Sequence, residues 1–196
     1  IVTAVLPAEP DETRVALERA AGHAVLLEVA GRGGLSHLVE VAGHLKDCPL
    51  LRFVGKAAHI SDHFGEKLNE YHVRQALDAL FKRYAFQPTF AMLTGETDLT
   101  PPGYVLFVEA NDVSAEVLSQ FGVELEAGLQ ENFHYRYCRD LGQLAALRVF
   151  RVDANALEAY LAACQAHGQR AGDIKPVALH RRGGWLQVFR GRLISC

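Results

Sequence analysis

No excess of basic charge, no paired cysteines and no long apolar run occur in this sequence. Twenty Lys and Arg stand against 23 Asp and Glu, a formal net charge of −3. That balance offers no electrostatic footprint for nucleic acid, so no nucleic-acid partner is expected. No apolar stretch approaches the roughly 20 residues that span a bilayer, and no signal-peptide pattern is present. A membrane partner is therefore not expected, and a cytoplasmic location is. Cys48, Cys138, Cys164 and Cys196 form no CxxC pair, so neither a zinc site nor a dense disulfide framework is predicted. A reducing compartment fits them. His59 and His63 lie four apart, but in a glycine-bounded loop rather than on a helix, and no metal site is expected there. The sole methionine is Met92 and the chain opens Ile1-Val2-Thr3-Ala4. The expectation is that an N-terminal portion precedes it.

What is present is an ordinary globular mixture, 49% apolar and 22% charged. Residues 1–46 hold short apolar runs at 25–29 and 38–41, split by Gly31-Arg32-Gly33-Gly34, and one small helix at 11–20. Such pieces bury little by themselves and read as the tail of a larger upstream domain. Regular patterning begins at Pro49. A strand over 50–54 is followed by an irregular polar segment to Gly65. Asn69 then caps a helix to about Tyr84, with Val73, Ala76, Leu77, Leu80, Phe81 and Tyr84 on one face. Strands follow at 89–94 and 103–109.

Asp112 or Ser114 starts a long helix to about Tyr137, with Leu118, Phe121, Leu125, Leu129 and Phe133 as its buried stripe. After a strand at 147–152, Asp153 caps a helix with Leu157, Tyr160, Leu161 and Cys164 inward, closed by Gly168. Residues 177–179 and 185–189 read as a hairpin around Gly183-Gly184. Arg181, Arg182, Arg190 and Arg192 read as its solvated basic face, with phosphate contact or contact with an upstream domain as the sharper alternative. The fold class is thus α+β. A βαββαβ order, the split βαβ arrangement, places helices on one face of a mixed or antiparallel sheet.

The stretch from Gly34 to Glu70 goes further. Val39-Glu40-Val41-Ala42-Gly43-His44, then Pro49, Phe53, Val54 and Lys56, then SDHFGEKLNE over 61–70, follow one another in order and spacing. This closely resembles the Gretchen Hagen 3 family of acyl acid amido synthetases, of bacterial type, in the adenylate-forming superfamily. The family pattern GLYRYRxGDxVxVxGF is met in its VxVxGF part, and PxxxFVxR is met with Lys56 at the usual arginine. Counted without a gap from Phe53, Lys67 and Glu70 fall on the lysine and glutamate of SIDxDKTxE. Residues 168–176, GQRAGDIKP, place Lys175 on the lysine of the terminal GxxxxQYKxPR pattern. The YRYRxGD segment is absent between Leu35 and Val39. Its aspartate is expected to hold the ribose of ATP. The phosphate loop and the acyl pocket are expected upstream of Ile1.

The resemblance implies a division into a tail of a large N-terminal domain (1–54), a hinge (55–68) and a mobile C-terminal domain (69–196). It implies ATP and Mg²⁺ as cofactors, and a carboxylic acid and an amino acid or amine as substrates. The large N-terminal domain of the same protein is the implied partner. Lys175 is the implied catalytic residue, and Lys67, Lys56 and Asp62 the implied cofactor contacts. Two alternatives stand beside it: a stand-alone small-ligand-binding or regulatory α+β module, and a thioester-forming ligase of the same superfamily.

Overall fold

The computed structural model describes residues 2–5, 24–28, 36–46, 48–56 and 60–194. They fall in two units, residues 1–60 and 61–196. The small helix expected at 11–20, the glycine cluster at 31–34 and His59 lie outside the described residues.

In the first unit, β1 (Val2–Val5), β2 (Ala24–Glu28), β3 (Ser36–Leu45) and β4 (Cys48–Lys56) form one sheet in that order. β1 and β2 are parallel, and the other pairs are antiparallel. The strands β3 and β4 are longer than their apolar runs suggest. Two register shifts, at Leu38/Val39 and Val41/Gly43, let the ladder continue past irregular pairing. Lys46 makes the connection with φ of 56°.

The second unit is organised by strand alternation. β7 (Phe90–Glu96), β8 (Gly103–Glu109) and β9 (Ala145–Val152) lie at the centre of a five-stranded sheet. The edges are β10 (Leu179–His180) and β11 (Gly191–Leu193), giving the order β10-β7-β8-β9-β11. The sheet is mixed, with β7–β8 and β9–β11 antiparallel and β8–β9 and β10–β7 parallel. Along β8, Tyr104, Leu106 and Val108 enter one core while Val105 and Phe107 enter another. That is the two-residue period of a strand buried on both faces.

The first core is roofed by α1 (Glu70–Arg83), α2 (Ala115–Leu129) and α3 (Phe133–Asp140), through Val73, Leu77, Phe121, Leu125 and Tyr135. The second is covered by α4 (Ala156–Ala166), through Ala156, Tyr160 and Cys164, together with Trp185 and Phe189.

The α+β class and the helix-covered mixed sheet are as the sequence leads one to expect, with four departures. Helices cover both faces, because α4 packs opposite α1–α3. The strand at 50–54 lies in β4, in the four-stranded sheet, and β10 is the strand beside β7. The long helix stops at Leu129, and Phe133 begins α3 with 61% of its surface exposed. Asn132 causes the break, since its side-chain oxygen accepts from the amides of His134 and Tyr135 at 2.9 and 3.1 Å. Finally, no hairpin forms around Gly183-Gly184. β10 joins β7, residues 185–187 make one 3-10 turn, and β11 joins β9 at the far edge.

Capping explains the α4 boundary as well. Asp153 is not the cap; Asn155 is, in a left-handed conformation without a side-chain bond. The first helical amide, of Ala156, donates to the Glu109 carboxylate at 2.7 Å. With the start moved, the inward face is Ala156, Tyr160 and Cys164, and Leu157 is exposed. Cys138 and Cys164 are buried free thiols.

Candidate functional site

Two segments of the second unit carry three of the four implied site residues, Asp62, Lys67 and Lys175: the loop 61–69 before α1, and the arm 169–185 after α4. The loop folds around a carboxylate. β5 (Ile60–Ser61) pairs with β6 (Leu68–Asn69), closing the segment at its base. Glu66 is fully buried. It accepts from the amide of His63 at 2.8 and 3.0 Å, from the amide of Phe64 at 2.7 Å and from the Tyr104 hydroxyl at 2.6 Å. The Tyr104 oxygen also lies 2.6 Å from Ser61 Oγ. With its one proton given to Glu66, that oxygen accepts from the Ser61 hydroxyl. Burial, then the negative charge of Glu66, pushes the Tyr104 hydroxyl far above its ordinary range, so it stays a donor. Cys138 Sγ contacts the Phe64 carbonyl at 3.3 Å from α3.

This scaffold places Lys67 with φ of 44°, a left-handed conformation that costs a non-glycine residue free energy. Its ammonium pairs with Asp62 at 2.6 Å, both side chains partly exposed. The structure thus brings together Lys67 and Asp62, two of the implied cofactor contacts. Lys56 is the last residue of β4, in register with His37. Its side chain lies outside what is described.

The arm is fastened along its length. The Tyr160 hydroxyl donates to the Lys175 carbonyl at 3.1 Å, and Ile174 is buried in the second core. The Ala178 amide donates to Glu70 at 3.1 Å, and its carbonyl accepts from Leu93 at 2.8 Å. Beyond β10, Thr94 Oγ1 and Trp185 Nε1 both donate to the Arg182 carbonyl, at 2.9 and 2.7 Å. The Glu96 carboxylate, almost fully buried, accepts from the amides of Gly184 and Trp185 at 2.8 and 3.0 Å. Burial raises its pKa, and the two amides pull it partly back. The Lys175 side chain is exposed, and its ammonium makes no ion pair among the described residues.

Glycine at 183 is required by close approach, because a Cβ there would sit 2.6 Å from the Gly95 carbonyl oxygen. Gly183→Ala is expected to cost about 1–3 kcal/mol, the usual penalty for forcing an extra carbon into packed structure. A urea melt reads this directly. A change under about 0.5 kcal/mol would mean that the turn moves aside without resistance.

His180 lies beside this turn, with its ring edge-on to Trp185 at 4.8 Å between centroids. Burial lowers its pKa below 6.5, and Arg182 adds to this by charge while its carbonyl opposes. Because the folded value lies below the unfolded one, the unfolded state binds more protons within that window. Stability associated with His180 is therefore full above pH 6.5 and is lost as pH falls through the window. The stability advantage of the wild type over His180→Gln is expected to shrink from pH 7 to pH 5. A difference independent of pH contradicts this.

The four arginines do not form one patch. Arg181 and Arg182 follow β10, whereas Arg192 lies in β11 on the opposite edge, opposite Arg151. Among the described residues, no group of three or more His, Cys, Asp or Glu side chains is gathered as a metal site, and no helix is long and apolar enough to cross a membrane. Sequence reasoning missed Glu66, Tyr104 and Glu96. An acid next to the motif lysine was the only visible sign of the first, and nothing in the spacing marked the others.

Residues 70–183, more than half the chain, match the GH3 family C-terminal domain. No curated protein sequence gives a significant match. Solved structures share the fold, and two of them are as follows. One is a GH3.15 acyl acid amido synthetase, at TM-score 0.61 and 16% identity. The other is AtGH3.15 acyl acid amido synthetase in complex with 2,4-DB, at TM-score 0.62 and 16% identity. Each match covers 81% of this chain, and the chain spans 30% of the length of either structure.

Proposed function

Because the chain belongs to the GH3 family, through its C-terminal domain, we propose that it is the hinge and C-terminal part of an ATP-dependent, acyl-adenylate-forming ligase. The observation that carries this reading is the family match running from Glu70, the first residue of α1, to residue 183 in the Lys175 arm. On this reading residues 1–54 are the tail of a large N-terminal domain, 55–68 the hinge and 69–196 the mobile domain, in a cytoplasmic protein.

The proposed reaction has two halves. A carboxylate oxygen of the acid bonds to the α-phosphorus of ATP, and the bond to pyrophosphate breaks. An amino acid or other amine then bonds to the acyl carbon, releasing AMP and a proton. Negative charge shifts onto the phosphate oxygens in the first half, and a cation placed there lowers its barrier. Lys175 suits this role as a compact ammonium on a backbone held by Tyr160 and Glu70. Lys67 has three N–H donors, so it can keep its bond to Asp62 and still donate to a phosphate. Lys56 is the third proposed cation. The described residues do not assemble a Mg²⁺ cage. Any Mg²⁺ would be held largely through the substrate phosphates.

The test is ATP–pyrophosphate exchange by the full-length protein that carries this chain, over a panel of carboxylic acids. Exchange dependent on one acid class supports the reading. No exchange with any acid, together with no binding of ATP, removes it and favours a stand-alone binding module.

A further inference from the structure

Glu70 ends the motif that resembles the family hinge, and one of its contacts reaches the Lys175 arm. Its carboxylate, with 11% of the side chain exposed, accepts from the Ala178 amide at 3.1 Å and from Arg74 Nη2 at 2.8 Å. Ala178 is three residues beyond Lys175. On the other side of Pro176, the Lys175 carbonyl is held by Tyr160. The chain is therefore held on both sides of Pro176, whose φ is locked, just after the Lys175 side chain branches off. A buried carboxylate at the start of α1 joins the end of the loop segment to the arm that presents the lysine.

We propose that Glu70 is a positioning residue for Lys175: by accepting the Ala178 amide, it sets where the lysine backbone lies. This rests on the proposed role of Lys175 in adenylation. Glu70 does not touch substrate in this scheme. Its effect passes entirely through the arm, and small displacements of a catalytic group carry large kinetic costs.

The experiment compares Glu70→Ala, Glu70→Gln, Lys175→Ala and the double variant Glu70→Ala/Lys175→Ala in the full-length protein. ATP–pyrophosphate exchange is measured alongside thermal stability and amide hydrogen exchange. Glu70→Ala is expected to lower kcat for exchange about tenfold and to speed exchange of the Ala178 amide. Glu70→Gln, whose amide oxygen still accepts, should fall between Glu70→Ala and wild type. In the Lys175→Ala background, Glu70→Ala should cost nothing further, because two residues acting through one step are not additive.

An equal penalty in both backgrounds would show a merely structural role and overturn the proposal. So would exchange within twofold of wild type in Glu70→Ala when Lys175→Ala is slow, or an Ala178 amide equally protected in both proteins. Wild-type exchange by Lys175→Ala would instead overturn the Lys175 assignment itself, and the Glu70 proposal with it. Should Glu70→Ala not fold, Glu70→Gln against Lys175→Ala gives the same additivity test.

Discussion

Lys175→Ala is expected to slow ATP–pyrophosphate exchange in the full-length protein by about 10²–10³-fold, the usual cost of removing one group that stabilises transition-state charge. Two features of the structure make this a sharp test. The Lys175 side chain is exposed and without an ion pair among the described residues, so truncating it should change stability by no more than about 0.5 kcal/mol. Its backbone is anchored through its carbonyl and through Ala178, contacts that a change to alanine leaves intact. Lost exchange with unchanged melting therefore belongs to the ammonium. Lys175→Arg should recover part of the rate, since the charge returns in a different shape. The KM for ATP should change much less than kcat, because the interaction is strongest in the transition state. Exchange within threefold of wild type would assign Lys175 to the solvated surface.

Glu66→Ala should lower stability by about 3–4 kcal/mol, because it strands the amides of His63 and Phe64 and the Tyr104 hydroxyl. For a domain of this size that is a fall in Tm of roughly 10 °C. Tyr104 is fully buried and stacks edge-on against Tyr135 at 5.8 Å, so water has little access to replace the lost acceptor. Glu66→Gln keeps an acceptor oxygen but turns an amide NH₂ toward groups that are themselves donors. A loss of about 1–2 kcal/mol is expected from it. Tyr104→Phe should share part of the Glu66→Ala penalty, and the double variant should be less than additive. Guanidinium melts of the four variants against wild type decide the matter. A Glu66→Ala loss below about 1 kcal/mol would show that the loop is held by its strand pairing alone.

How legible these features were in the sequence depended on how local their causes are. The helix after Asn69 was legible because cap and apolar stripe lie within one segment, and Asn69 does accept from Tyr71 at 2.7 Å. β8 was legible as an apolar run between turn residues. The end of α2 was not, because Phe133 extends the stripe in register and the competing signal is a single asparagine at 132. The start of α4 depends on Glu109, 47 residues away in sequence, which no window contains. The hairpin expected at 183–184 shows the same limit. Two glycines announce a turn, but whether the flanking strands pair with each other or with opposite edges of a sheet is a tertiary choice. The candidate site divides likewise. Lys67, Asp62 and Lys175 came from short motifs in a recognisable order. Glu66, Glu96 and Tyr104, which hold those segments in place, make contacts 38 and 88 or more residues apart.

Both edges of the five-stranded sheet are supplied by the segment from Leu179 to Leu193. During synthesis the three central strands are complete once Val152 has been added, yet β7 and β9 each keep an unpaired flank until the last stretch arrives. At roughly 5–20 residues per second, the 41 residues from Val152 to Leu193 take roughly 2–8 seconds. Until His180 is added the nascent chain presents two open strand edges, and from there to Leu193 one, the kind of surface that recruits other chains. A premature stop between the two points would make that exposure permanent, so shortened products should be found with chaperones and proteases rather than as a smaller folded domain.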